Sequence, residues 1–266
     1  MKRILTTCLA AGAVALAGLV TGCGKGRAAI TLAGSTAFQP FAEKLADQYM
    51  AAHPDVAVTV QGGGSAVGIQ SALSGAAQIG MADMVTLPPE CAALTQFVVA
   101  RDGIAVVVHP ANKVGTLTTA QLKDVFTGAL KNWKDVGGED KPIAVVSREA
   151  GSGTRSSFEQ ILGGVKLTPE AIIQDSNGTI RETVANDPNS IGYLSHGLLN
   201  AKVRQMPVDG ILCSEDTIQA GAYHLVRPIF LLTKGAPSPD CKALIDYILS
   251  ADGQKTVRAK GLLGAK

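Results

Sequence analysis

"IAVVSREAGSGTRSSFEQIL", Ile143 to Leu162, is the stretch on which the reading of this chain turns. Ile143 to Val146 is a short apolar run, as in a buried strand. Gly151-Ser152-Gly153-Thr154 ends it with small and hydroxyl-bearing residues. Phe158, Ile161 and Leu162 then recur at i, i+3 and i+4, the spacing of one helix face. The order is strand, glycine-serine turn, helix start. Four backbone N–H groups lack intrahelical partners at such a start, and the helix dipole adds partial positive charge there. Ser147, Ser152, Thr154, Ser156 and Ser157 surround the turn, with Arg148 and Arg155 on either side.

The same grammar recurs toward the N-terminus. Ala29 to Ala33 reads as a strand, Gly34-Ser35-Thr36 as its turn, and Phe38, Phe41, Leu45 and Tyr49 as the buried face of a helix. Val56, Val58 and Val60 alternate as a strand, and Gly62-Gly63-Gly64-Ser65 leads to a helix carrying Ile69, Leu73 and Ala76. Ala77 to Met81 reads as a buried strand running into Asp83, and Ile104 to Val108 as another. Thr118 to Gln121 is a capping box and Gly128 a helix stop. Thr168-Pro169-Glu170 and Ser238-Pro239-Asp240 both read as an N-cap followed by proline at the first helical position. The last helix carries Leu244, Ile245, Ile248 and Leu249. This alternation predicts an α/β fold with parallel strands covered on both faces. Ligands of such folds bind where loops leave the carboxyl ends of strands.

The chain opens Met1-Lys2-Arg3, runs apolar from Ile4 to Val20, and reaches Gly22-Cys23. A basic start and a short apolar core predict a secretory signal over residues 1–22. The small residue before Cys23 resembles a bacterial lipobox, so Cys23 is the expected lipidation site and new N-terminus. The expected location is outside the cytoplasm, periplasmic or at the cell surface, with the lipid as the membrane anchor. Without Lys2 and Arg3, the chain's 24 basic residues become 22, against 22 acidic ones. That balance argues against nucleic acid as a partner, because phosphate-backbone binding needs a basic face. Cys91, Cys213 and Cys241 remain beyond Cys23, and a Cys213–Cys241 bridge is open. His53, His109, His196 and His224 are scattered, and no spacing suggests a metal site or a cofactor.

Three hydroxyl-bearing turns before helices predict an anion site built from dipoles. Arg148 adds a planar fork that suits a tetrahedral oxyanion. Asp83 fits beside an anion only if the anion carries a proton, because an ionised carboxylate is an acceptor alone. Phosphate is partly protonated near neutral pH and sulfate is not, so Asp83 would discriminate between them. Asp83 as a local cap or salt-bridge partner is the competing reading. The nucleotide P-loop, GxSxG and HExxH motifs are missing, which favours binding over catalysis.

Together "ITLAGSTAFQP" (30–40), "VQGGGSAVGIQSALSGAAQIGMAD" (60–83), "RDGIAVVVHP" (101–110), "SREAGSGTR" (147–155), "SNGTIRETVANDPNSIGYLS" (176–195) and "RPIFLLTKG" (227–235) resemble the substrate-binding proteins of bacterial phosphate ABC transporters. The resemblance implies a two-lobed periplasmic-binding-protein fold of type II, with two crossover strands and the ligand between the lobes. It implies lobe one at 28–108 plus 200–266 and lobe two at 109–199. It implies a phosphate site of Ser35, Thr36, Ala37, Ser65, Asp83, Arg148, Ser152, Gly153 and Thr154, with the Ser65 hydroxyl and amide as donors. The partners implied are inorganic phosphate and the permease subunits, and the protein is expected to be a monomer. Ala150 stands where some members carry an acidic residue, which leaves Arg148 without an expected partner in its own loop. Another oxyanion, such as sulfate, molybdate or tungstate, and a phosphate-sensing role are the alternatives.

Overall fold

The computed structural model describes residues 28–265. The predicted signal and Cys23 lie outside them. Strand β1 (Ala28–Gly34) runs through the Gly34 turn into helix α1 (Gln39–Ala52), whose buried side is Phe41, Leu45 and Tyr49, as the spacing predicts. β2 (Val56–Gln61), α2 (Ser65–Ser74) and β3 (Ile79–Ala82) follow. β4 (Leu94–Val108) is a 15-residue strand, far longer than its apolar segment suggested. Then come α3 (Thr119–Thr127), β5 (Ala144–Arg148), α4 (Gly153–Ile161), β6 (Ile172–Gln174), α5 (Asn177–Asn186) and β7 (Ser190–Ser195). The chain closes with β8 (Arg204–Gln205), α6 (Glu215–Gln219), β9 (Val226–Lys234), α7 (Pro239–Leu249), α8 (Ala251–Arg258) and β10 (Leu263–Gly264).

The strands lie in the order β2-β1-β3-β9-β4-β7-β5-β6, with β8 and β10 also paired to β4. The β1–β2, β1–β3, β5–β6 and β5–β7 pairs are parallel, as expected. The long central strands are not: β9 runs antiparallel to β3 and β4, and β4 antiparallel to β7. The sheet is therefore mixed. β4 pairs with β9 through Gly103 and with β7 from Ile104 onward, so one strand belongs to both halves of the fold. β9 is the return crossing. The fold is the two-lobed α/β arrangement the sequence predicts.

Two large cores sit on either side of this crossing. One gathers Phe38, Phe41 and Leu45 with Ile229, Leu244 and Ile248. The other gathers Phe126, Trp133, Phe158 and Tyr193 with Met206, Cys213, Ile218 and Tyr223. The last four come from the segment after β7, in which β8 pairs with Val107 and Val108 of β4.

Two further expectations are corrected. Thr168-Pro169-Glu170 does not start a helix. It forms a turn in which Ala171 N–H donates to the Thr168 carbonyl, and β6 follows at once. Cys213 and Cys241 are free and buried in opposite cores, so they form no bridge. Among the described residues no helix is long and apolar enough to cross a membrane.

Tyr193 stacks on Phe158 with ring centroids 4.1 Å apart and shares a 2.7 Å hydrogen bond with Ser147. Burial pushes its phenol up from 10.0 to about 12, with the Ser147 bond pulling the other way. The folded chain thus holds Tyr193 neutral at pH values where the unfolded chain has ionised. This stability is complete below pH 10 and is lost as pH rises toward 12. Two pH units correspond to about 2–3 kcal/mol. Urea unfolding between pH 9 and 12 should show the decline, and Tyr193→Phe should flatten it, leaving the share of the similarly buried Tyr223.

Candidate functional site

The three hydroxyl turns meet where the two lobes touch. Ser35 N–H donates to the Met81 carbonyl and Gly64 N–H to the Gly34 carbonyl, which binds the first two turns to each other. Gly34, at φ 132°, is required here: a Cβ would strike the Met81 carbonyl and the Gly68 backbone. The third turn arrives from the other lobe. Ala66 N–H donates 3.0 Å to the Gly151 carbonyl across the gap. Asn177, at the start of α5, donates from Nδ2 to Thr36 Oγ1 at 3.0 Å.

Asp83 sits at the centre, just past β3, only 2% exposed. Ser65 Oγ donates to its Oδ1 at 2.7 Å, and Thr154 Oγ1 donates to its Oδ2 at 3.1 Å. Asp83 N–H in turn donates to Ser65 Oγ at 3.0 Å. Of the sequence-predicted residues, Ser35, Ala37, Ser65, Asp83, Arg148, Ser152, Gly153 and Thr154 are all buried, and Thr36 is half-buried. Ser152 caps α4 by accepting from Arg155 N–H. Among the described residues no hydrogen bond reaches the N–H groups of Thr36, Ala37, Ser65, Gly153 or Thr154. Those are the orphan donors that turns before helices leave.

Two expectations about individual side chains change. Arg148 does have a partner in its own loop: Glu149 accepts from both Nε and Nη2 at 2.8 Å, a two-pronged bond. Its remaining Nη1 is buried with no hydrogen-bond partner. Ser65 has a single hydroxyl proton, and it goes to Asp83, so of its two expected donors only the backbone N–H is left unpaired.

Local sequence reading also missed Arg227 and Asp102. Arg227 Nη1 lies 2.7 Å from Asp83 Oδ2, an ion pair without the line of a directed hydrogen bond. Its Nη2 donates to Asp102 Oδ2 at 2.8 Å. Asp102 also accepts from Ser195 Oγ at 2.9 Å. Complete burial pushes the Asp102 carboxyl above its usual range, against the pull of Arg227 and Ser195. Among the described residues, the cations in ion-pair contact with Asp83, Asp102 and Glu149 are Arg148 and Arg227, so contact charges do not make this a positive pocket. The donors left without a hydrogen-bond partner here are the turn N–H groups, Arg148 Nη1, and Nε and Nη1 of Arg227. A cleft of about 660 Å³ opens beside Thr36, between Gln39, Glu43, Ser176, Arg181 and Lys260, and holds none of the other site residues. Among the described residues no three His, Cys, Asp or Glu side chains are grouped to hold a metal.

Two lobes hinged on paired strands, with an enclosed N–H-lined site between them, define a binding protein of the periplasmic-binding-protein class. The chain matches the family described as PBP superfamily domain over residues 20–252. It is 35% identical to the phosphate-binding protein PstS of Bacillus subtilis over 237 residues, 88% of this chain and 79% of that one. It is similar to a Clostridium perfringens protein solved with bound phosphate and assigned to the phosphate ABC transporter substrate-binding proteins, at a TM-score of 0.86 and 37% identity over 90% of this chain and 100% of that one. It is also similar to an ABC-type phosphate transport receptor from Vibrio cholerae, at a TM-score of 0.74 and 34% identity over 88% and 99% of the two chains. The chain belongs to the family of phosphate ABC transporter substrate-binding proteins.

The close approach of the lobes can be tested at Gly153. A Cβ there would overlap Ser65 Oγ and the Asp83 carbonyl. Gly153→Ala should destabilise the protein by about 1–3 kcal/mol, as overpacking does. Gly115→Ala, whose Cβ meets nothing within 4 Å, is the control. Equal denaturation midpoints for the two variants would contradict the contact.

Proposed function

We propose that this protein binds inorganic phosphate between its lobes and delivers it to the permease of an ABC transporter. The acceptor count at Asp83 carries the reading. An ionised carboxylate offers about four lone-pair sites. Ser65 and Thr154 hydrogen-bond to two of them, and Arg227 Nη1 adds an ion pair at Oδ2 without a directed hydrogen bond. The acceptor capacity left over stands among unpaired donors, the turn N–H groups and Arg148 Nη1. A tetrahedral oxyanion bearing one proton satisfies both kinds of group at once. Phosphate has that proton near neutral pH, whereas sulfate would set a lone pair against the carboxylate.

In this reading Ser35, Thr36, Ala37, Ser65 and Asp83 hold phosphate from lobe one, and Arg148, Ser152, Gly153 and Thr154 close on it from lobe two. The lobes are 28–103 with 226–265, and 104–225. The kinship with proteins named for phosphate binding and transport supports binding and release rather than turnover. We read the protein as a monomer held at the outer side of a membrane by lipid on Cys23, after removal of residues 1–22. The lipobox-like Gly22-Cys23 supports this.

Calorimetric titration at neutral pH tests the reading. Phosphate should bind and sulfate, molybdate and tungstate should not. Asp83→Asn should gain sulfate binding, because an amide can donate where a carboxylate cannot. Sulfate affinity that stays negligible in that variant would remove Asp83 from the discrimination. Arg148→Ala should weaken phosphate binding by about 1.5–3 kcal/mol, the range for a charged hydrogen bond. An unchanged dissociation constant would move Arg148 off the ligand.

A further inference from the structure

Arg227 lies outside all three ligand loops. It stands on β9, directly across from Asp102 on β4, where the two crossing strands pair. Its side chain is fully buried and touches two carboxylates, Asp83 at 2.7 Å and Asp102 at 2.8 Å. Asp102 accepts from Ser195 on β7. Ser195 N–H donates to Asn177 Oδ1 at 3.0 Å, and Asn177 donates to Thr36. A continuous polar chain thus runs from Asp83 through the hinge to Thr36 on the other side of the site.

Two buried carboxylates share this one guanidinium. A desolvated carboxylate lacking a counterion takes up a proton, and a neighbouring like charge strengthens the tendency. The groups facing Asp83 are few. Ser65 on α2 and Thr154 and Ser157 on α4 are neutral hydroxyls. Asp102 on β4 adds like charge. Arg148 on β5 is committed to Glu149. Among the described residues, Arg227 is the cation in contact with Asp83.

We propose that Arg227 is a specificity-determining positioning residue: by ion-pairing Asp83 it keeps that carboxylate an obligate acceptor, and so makes the site refuse an oxyanion that has no proton to give. The inference rests on the phosphate reading above. With Arg227 removed, Asp83 takes a proton, becomes a donor, and sulfate gains a partner where it had an opponent.

The test is titration of the full-length protein with phosphate and with sulfate at pH 8, 7, 6 and 5. Wild type is compared with Arg227→Lys and with Arg227→Met combined with Asp102→Asn, a pair that leaves no stranded charge at position 102. In the double variant, sulfate binding should appear and strengthen about tenfold per unit fall in pH, the linkage of one proton. Arg227→Lys should restore most of the discrimination. A double variant that loses phosphate affinity equally at all four pH values and still refuses sulfate would overturn the proposal and leave Arg227 a purely structural residue. The wild type decides independently of whether the variants fold. Its refusal of sulfate should persist to pH 5, and sulfate binding that rises toward pH 5 with Arg227 in place would overturn the proposal. Wild type that binds no phosphate at pH 7 would instead sink the phosphate reading itself, so the two failures are distinguishable.

Discussion

Arg227 divides one buried guanidinium between Asp83 and Asp102, and much of the architecture depends on that ion pair. A carboxylate this deeply buried is strongly unfavourable unless it is paired and hydrogen-bonded. The hydroxyls of Ser65 and Thr154 supply the bonds, and Arg227 the charge. Those two hydroxyls come from different lobes, so satisfying Asp83 also draws the lobes together. Neutral partners alone would leave the charge uncompensated.

The second carboxylate explains why the arginine stands on a crossing strand. Asp102 and Arg227 are paired residues of β4 and β9, the two strands that join the lobes. A group anchored there moves little when one lobe rotates against the other, because a hinge is the least displaced part of such a motion.

The attraction for an anion is built differently. The contact charges are three carboxylates and two guanidiniums, which gives no net positive field. In the proposed reading, unpaired N–H groups at the turns attract the anion, since dipoles fixed by the backbone need no counterion of their own. That division would let an acidic residue sit inside an anion site, with the donors attracting and the one acceptor selecting. Glu149 has a supporting place in that scheme: it fixes Nε and Nη2 of Arg148 and leaves Nη1 as the free edge.

Local physics made much of this legible in the amino-acid sequence. Strand, glycine turn and hydroxyl-capped helix are written within a dozen residues, and the orphan N–H groups follow from helix geometry alone. The spacing of Phe41, Leu45 and Tyr49 was readable for that reason, whereas the full set of candidate site residues came from the family resemblance. The partners of Asp83 were not. Thr154 is 71 residues away from it, and Arg227 is 125 residues from Asp102. "RPIFLLTKG" contains no periodicity or turn signal that distinguishes its arginine from a surface one. The helix expected at Thr168 failed similarly, because its capping residues serve a turn once β6 is drawn to the sheet edge. What the sequence by itself determined is the set of β/α units and the donors at their turns, because these depend on neighbours along the chain. Only the tertiary structure decided which carboxylate meets which cation, because burial and charge pairing depend on neighbours in space.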